Sequence, residues 1–305
     1  MKAVRFDNYG GPEVLEVREV DDPQPGAGEV LVRVKAASIN PGEIAIREGY
    51  LHERWPASFP SGEGTDFAGT VEALGDGVDG FAPGDPVIGW TESRASHAEL
   101  VLAPAGQLTA KPEQLSWEVA GSLFVAPMAA YACVEAVAPK PGEVVVVSAA
   151  AGGVGSIAVQ LARRTGATVV GLASERNHAW LSDHGVIPVT YGDGQAERIT
   201  QAAGGRPDAF IDTFGGGYVD LALELGIPLE RINTIADFEA VARLGVSAEG
   251  THAIATREIL AELAGLVASG ELEIPIAATY PLSEVRAAFE DLAQRATHGK
   301  IVLIP

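Results

Sequence analysis

The sequence predicts a mixed α/β fold, and three observations carry that expectation. The first 110 residues are rich in β-branched runs broken by Pro/Gly turns. From about residue 121 strand-like and helix-like stretches alternate. Between a run of valines and a helical stretch lies a glycine-rich turn, "SAAAGGVGS", at residues 148–156. A chain of 305 residues has room for one large or two medium domains with ample buried core.

Taken in order, "MKAVRFDNYG" lacks the apolar core of a signal peptide and reads as a first strand. "VLEVREV" (14–20), "EVLVRVKAASI" (29–39) and "FAGTVEALG" (67–75) are further strands, separated by turns such as "DDPQPGAG" and "FAPGDP". Strands so closely spaced suggest a compact barrel or sandwich. The second stretch opens with a helix in "MAAYACVEAV", a buried strand "EVVVVSA" and a helix "VGSIAVQLARRTG" closed by glycine. The strand "TVVGLAS", a helix across "RNHAWLSDHG", the strand "VIPVTY", a helix near "AERITQAAGG" and the strand "DAFIDTFG" follow. This alternation implies a parallel sheet covered on both faces, with right-handed crossovers. The tail reads as a helix "REILAELAGLVASG", a strand "IAATYPL", a helix "SEVRAAFEDLAQR" and a last strand "KIVLIP". Periodicity leaves open whether that tail rejoins the N-terminal part.

The formal charge of −20 argues against nucleic-acid or anionic-membrane binding, which would need a basic face. No apolar run reaches the roughly 18 residues of a spanning helix, and the cytoplasm is the default location. The single cysteine, Cys133, excludes intramolecular disulfides and multi-cysteine zinc clusters, and its helical apolar setting reads as a buried structural thiol. His97 in "SHAEL" and His298 in "HGK" read as surface residues.

"AAGGVG" (150–155) follows a predicted strand and opens a predicted helix, the context in which a dinucleotide motif is credible. Gly152 would allow close backbone approach to a pyrophosphate and Gly155 close helix–strand packing. Ala150 takes the place of the turn glycine, which is acceptable if its φ stays negative. The next strand ends at Ala173, where an NAD-selective site would carry an acid. Ser174, Arg176 and Asn177 follow, with donors suited to a ribose 2′-phosphate, so NADPH is favoured over NADH; Glu175 is the one residue there that opposes it.

With these residues in view, the chain resembles the zinc-independent medium-chain dehydrogenases/reductases of the quinone oxidoreductase (zeta-crystallin) type. The resemblance runs from "MKAVRFDNYGGPEVLEV" to "HGKIVL" and rests on "SINPGE", "REGY", "GTDFAGTVEALG", "FAPGDPVIG", "AAAGGVGSIAVQLAR", "ASERNH" and "FIDTFGG". It implies a Rossmann-type doubly wound parallel sheet inserted in a chaperonin-10-like β-barrel domain. The domains would be 1–120 for the barrel, 121–251 for the nucleotide domain and 252–305 for the segment completing the barrel. It places Asn40 near the nicotinamide, and Gly152, Gly153, Val154 and Gly155 at the pyrophosphate. Ser174, Arg176 and Tyr191 would meet the 2′-phosphate and adenine, Phe214 and Ile235 would line the dinucleotide groove, and Gly299 and Lys300 would approach the cofactor from the tail. Tyr50 either borders the substrate mouth, as a tentative catalytic group, or packs as an interfacial aromatic.

Zinc-dependent relatives use cysteine and a His-Glu pair where this chain has Asn40 and Thr65-Asp66, so no metal is expected. The chain departs from the family's pattern at Glu43, Ala45, Ala129 and across 221–245, the region of the dimer edge strand, which leaves a homodimer open. Without a Lewis acid, hydride transfer to a conjugated acceptor is easier than alcohol oxidation, because the substrate spreads the incoming charge. The expected function is NADPH-dependent reduction of quinones or α,β-unsaturated ketones. An NADPH-binding sensor or structural protein with little turnover is the alternative, and a zinc alcohol dehydrogenase a third.

Overall fold

The computed structural model describes residues 1–305. A two-stranded antiparallel ribbon, β1 (Lys2–Arg5) with β2 (Glu16–Glu19), opens the chain. Next come β3 (Glu29–Ser38), α1 (Pro41–Arg47), β4 (Asp66–Leu74), β5 (Pro86–Trp90), β6 (Leu100–Pro104), β7 (Leu108–Ala110) and the short α2 (Trp117–Ala120). Alternation along β3 sends Arg33 and Lys35 outward and Val32, Val34 and Ala36 into the core. β4 pairs with one edge of β3 and with β5, which passes the sheet on to β7; β6 takes the first half of the other edge of β3.

The chain then runs through α3 (Val125–Val137), β8 (Val144–Val147), α4 (Gly155–Arg164), β9 (Thr168–Leu172), α5 (His178–Asp183), β10 (Ile187–Val189), α6 (Gln195–Ala203), β11 (Ala209–Asp212), α7 (Tyr218–Glu224), β12 (Ile232–Thr234), α8 (Phe238–Leu244) and α9 (Thr251–Ile254). Its five strands are all parallel, in the order β10-β9-β8-β11-β12. The valine run of β8 reflects burial on both faces, as central parallel strands require. Val146, Val170, Leu172, Phe210 and Ile232 from the strands pack with Ile199, Val219 and Leu221 from the helices. The winding reverses between β8 and β11, and ligands of such sheets sit at the carboxyl ends of the strands beside that reversal.

The return segment comprises α10 (Arg257–Ala268), β13 (Ile276–Pro281), α11 (Val285–Ala293) and β14 (Lys300–Ile304). β14 runs parallel to β13 and antiparallel to the end of β3, with Val302 opposite Ser38 and Leu303 opposite Ala37. Val4, Phe6, Leu15 and Ile39 from the start of the chain share one core with Phe289, Ile301 and Leu303 from its end. Residues 1–125 and 256–305 thus form one unit, and residues 126–255 the other.

His97 is not a surface residue. It is fully buried, because its backbone is drawn inward from two sides: its carbonyl accepts from Val4 N at 2.9 Å and its N–H donates to Glu63 O at 3.1 Å. The polar look of the surrounding "ESRASHAEL" hides those strand-like bridges. His298 is partly buried. No helix is long and apolar enough to cross a membrane.

Candidate active site

In the second unit, the turn from β8 into α4 is built around one carbonyl. Ala149 takes the left-handed conformation, with φ 44°, whereas Ala150 is fully buried at ordinary φ. The Ala149 carbonyl accepts from Gly152 N at 2.8 Å. A Cβ on Gly155 would collide with that carbonyl, while one on Gly152 would stand 3.2 Å from it. Gly155 is therefore the residue that lets α4 lie on the strand end, and Gly152 only borders the open side. The first turn of α4 leaves backbone N–H groups without intrahelical acceptors and the positive end of the helix dipole beside them. The Ser156 hydroxyl in that turn is buried without a partner in the chain. An anionic pyrophosphate suits this arrangement.

Asp212, fully buried at the end of β11, holds the turn in place. It accepts from Ser148 Oγ and Thr234 Oγ1, each at 2.7 Å, and from Phe214 N and Gly215 N at 3.0 Å. One carboxyl thereby ties the ends of β8, β11 and β12 at the winding reversal. Phe214 lies edge-on to Tyr218 at 5.9 Å, and Ile235 N donates to the Asp212 carbonyl at 3.0 Å.

After β9 the chain reads Ala173, Ser174, Glu175, Arg176, Asn177, with no acid at the strand end. Asn177 Nδ2 donates to Ser174 Oγ at 3.3 Å, so these two side chains meet. Arg176 is exposed in this loop and Tyr191 is 52 % exposed in the loop after β10. Because β9 and β10 are parallel neighbours, both loops leave the carboxyl end of the strands. Glu175 is exposed as well.

The first unit holds a different arrangement. Ser38, Asn40, Glu43, Asp66 and Lys300 converge, none more than 6 % exposed. Lys300 Nζ donates to Asn40 Oδ1 at 2.5 Å and to the Ile39 carbonyl at 3.0 Å. Asn40 Nδ2 donates to Asp66 Oδ2 at 2.8 Å and to Glu43 Oε1 at 3.3 Å, and Asn40 N donates to Glu43 Oε2 at 2.9 Å. Asp66 also accepts from Ser38 Oγ and from Val125 N, both at 2.6 Å, which caps the start of α3. Burial, with the negative charges of Glu63 and Asp66 nearby, pushes the Glu43 carboxyl up to about 8. Burial lowers Lys300, and Asp66 and Glu43 oppose that shift.

Beside this set, Arg47 pairs with Glu63 at 2.7 Å, and its guanidinium lies 4.4 Å over the Phe289 ring. Burial raises Glu63 to about 7 even so. His97 Nε2 contacts the Ser38 carbonyl at 3.2 Å, and burial lowers its imidazole to about 4, so it is neutral at neutral pH. Gly299 adopts φ 85° against the Pro275 carbonyl, where any Cβ would clash, and so delivers Lys300 to Asn40. Tyr50 is 79 % exposed in the turn after α1.

Of the sequence-predicted residues, the structure joins Asn40 to Lys300 and Ser174 to Asn177. Sequence reading missed the roles of Ser38, Glu43 and Asp66. The usable sign was an acid inside small and apolar surroundings, in "GEIAI" and "GTDFAG", where a carboxyl is costly unless hydrogen-bonded. No three His, Cys, Asp or Glu side chains come together as a metal-binding group. The ammonium of Lys300 against Asn40 also leaves a dication no electrostatic welcome there, so the set does not fit a catalytic zinc.

Residues 26–142 match the alcohol dehydrogenase GroES-like domain family, and residues 184–303 the zinc-binding dehydrogenase family. The quinone oxidoreductase of Salmonella typhimurium is 30 % identical over 99 % of each chain. The chain belongs to the medium-chain dehydrogenase/reductase family, quinone oxidoreductase type. Among solved members of that family, the quinone oxidoreductase from Coxiella burnetii has a TM-score of 0.90 and 32 % identity, covering 100 % of this chain and 99 % of its own. The Escherichia coli quinone oxidoreductase complexed with NADPH has a TM-score of 0.89 and 28 % identity, with both chains fully covered. The barrel-plus-Rossmann architecture expected of the family is the one this member has.

Proposed function

We propose that this protein is an NADPH-dependent reductase of conjugated carbonyls, quinones or α,β-unsaturated ketones, working without zinc. One observation carries the reading: the buried polar set of the first unit is an amide, two carboxyls and an ammonium rather than a set of metal ligands. With no metal Lewis acid in that set, a substrate that carries its own electron sink, as a quinone or enone does and a simple ketone does not, is the easier one to reduce there. The family relationship to quinone oxidoreductases, one of them solved with NADPH, supports the same class.

When bound, NADPH supplies the hydride. Gly152, Gly153, Val154 and Gly155 cradle its pyrophosphate. Ser174, Arg176, Asn177 and Tyr191 serve the 2′-phosphate and adenine end, in the absence of a strand-end acid that would favour a free 2′-hydroxyl. Phe214 and Ile235 flank the dinucleotide, Asn40, Gly299 and Lys300 serve its nicotinamide end, and Tyr50 borders the substrate mouth. Strand β12 forms the sheet edge but is covered by residues 246–250, so a homodimer joined strand to strand there would first have to displace that segment.

The decisive measurement is NADPH oxidation with a panel of quinones and enones, before and after exhaustive chelator treatment. Turnover with NADPH exceeding that with NADH, and unchanged by the chelator, is the expected result. NADPH binding without turnover across the panel points instead to a sensor, and activity lost with one bound zinc per chain overturns the mechanism.

A further inference from the structure

We infer that Lys300 is the electrophilic residue of the reaction proposed above: its ammonium donates a hydrogen bond to the substrate oxygen on which negative charge collects. The inference rests on that proposed reduction and assigns its missing charge-stabilising group.

Donor accounting within the buried set leads to this residue. Both amide hydrogens of Asn40 are directed to carboxyls, one to Asp66 and one to Glu43. The Ser38 hydroxyl donates to Asp66. Lys300 carries three N–H bonds and directs two of them, to Asn40 Oδ1 and the Ile39 carbonyl. Its third N–H is the donor this set has left over. Both of its acceptors are neutral oxygens, so no ion-pair contact consumes the charge. An ammonium 4 % exposed and paired only with neutral groups is an expensive arrangement for stability alone. Fixed positive charge in a dry site is, by contrast, what stabilises a developing oxyanion.

Its position is rigid. The Lys300 backbone N–H donates to the Pro275 carbonyl at 2.8 Å, immediately after the left-handed Gly299. The charged and titratable groups around it come from three further elements. Asp66 on β4 and Glu43 on α1 favour its protonated form. His97, ahead of β6, is neutral, and Arg47 on α1 is paired with Glu63. Asp66 is thus the positioning residue that orients Asn40 and helps keep Lys300 charged.

Bound NADPH would supply the hydride and leave as NADP⁺, and the quinone that accepts that electron pair would carry the negative charge on its oxygen. Lys300 keeps its proton and shares it with that anionic oxygen by hydrogen bonding. Water supplies the proton that completes the hydroquinone.

The test uses the whole protein with NADPH and a simple benzoquinone, reading kcat against pH and NADPH affinity by its fluorescence. For the native enzyme, kcat falls as pH rises through the lowered titration of Lys300, and falls more steeply than NADPH affinity does. Lys300→Met lowers kcat by roughly a hundredfold or more, the scale for losing an oxyanion donor, a loss far larger than the fall in NADPH affinity that goes with it. Asp66→Asn moves the alkaline limb to lower pH, which a purely structural carboxylate would not do. A Lys300→Met enzyme within threefold of the native kcat overturns the inference, as does one that loses activity only in proportion to NADPH affinity. Should that variant fail to fold, a native kcat that stays flat up to about pH 10, where a free lysine titrates, overturns it equally. A native protein that binds no NADPH or reduces no quinone overturns the function itself, and is recognised before any variant is made.

Discussion

At the scale of single residues, the two glycines of the α4 turn carry separable duties. Gly155→Val drives a side chain into the Ala149 carbonyl, and overpacking of that kind costs about 1–3 kcal/mol. Gly152→Val meets the same carbonyl at 3.2 Å from its Cβ, a contact that small shifts relieve, and it obstructs the pyrophosphate instead. Thermal melts with and without NADPH separate the two: the first variant melts lower in both conditions, and the second keeps its melt but loses the NADPH-induced rise. A Gly152→Val protein with the full rise would show that no dinucleotide crosses this turn.

Two buried titrating groups give stability a pH dependence of opposite sign. His97 is lowered to about 4 in the fold, so its contribution is present above the ordinary value near 6.5 and is lost as pH falls toward 4. Glu43 is raised to about 8, so its contribution is present below the ordinary carboxyl range and is lost as pH rises toward 8. Glu63, raised to about 7, acts in the same direction as Glu43. His97→Gln should flatten the acid side of a melting-temperature profile, and Glu43→Gln should flatten the fall between about 6.5 and 8, where His97 no longer titrates. Unchanged slopes in both variants would place the pH dependence elsewhere.

At the scale of elements, the short edge strand β12 depends on one side chain. Asn233 Oδ1 accepts from Glu249 N at 2.8 Å and Ser247 Oγ at 2.7 Å, while Nδ2 donates to Glu249 O at 3.0 Å and Cys133 Sγ at 3.2 Å. The amide pairs with Glu249 as a neighbouring strand would, and the Thr234 N–H reaches the Ser247 carbonyl at 3.0 Å. Asn233→Ala leaves these groups without partners, at a cost of roughly 1–3 kcal/mol. Hydrogen exchange should quicken at residues 246–250 well before the rest of the sheet; uniform exchange would show that the segment is held by other contacts. Burial raises the Cys133 thiol to about 12, which suits a packed structural role rather than a nucleophile.

For the whole molecule, the first unit exists only when both ends of the chain meet. Ile301, Val302 and Leu303 are buried to within 1 % in β14, between β13 and β3. Each such side chain contributes about 1.5–3 kcal/mol by burial, against a total stability of roughly 5–15 kcal/mol for a typical protein. A chain ending at Gly299 should therefore lose the cooperative melt of its first unit, seen by circular dichroism. Retention of the native melting profile would mean that residues 1–125 complete their own core.

Local pattern was enough to locate most elements here. The valine run of β8, the amphipathic stretch of α4, the alternation of β3 and the turn glycines each express a preference that neighbouring residues settle among themselves. The absence of an acid after β9 was equally plain, because it depends on one strand end. The joining of β14 to β3, the burial of His97 and the assembly of Lys300 with Asn40 and Asp66 were not legible in this way. Those residues lie 26 to 266 positions apart in the contacts that unite them, and no periodicity spans such distances. Whether a polar side chain is solvated or buried, and whether a carboxyl is charged or neutral, is decided by what other segments place around it; that is a property of the packed core and not of the neighbouring letters.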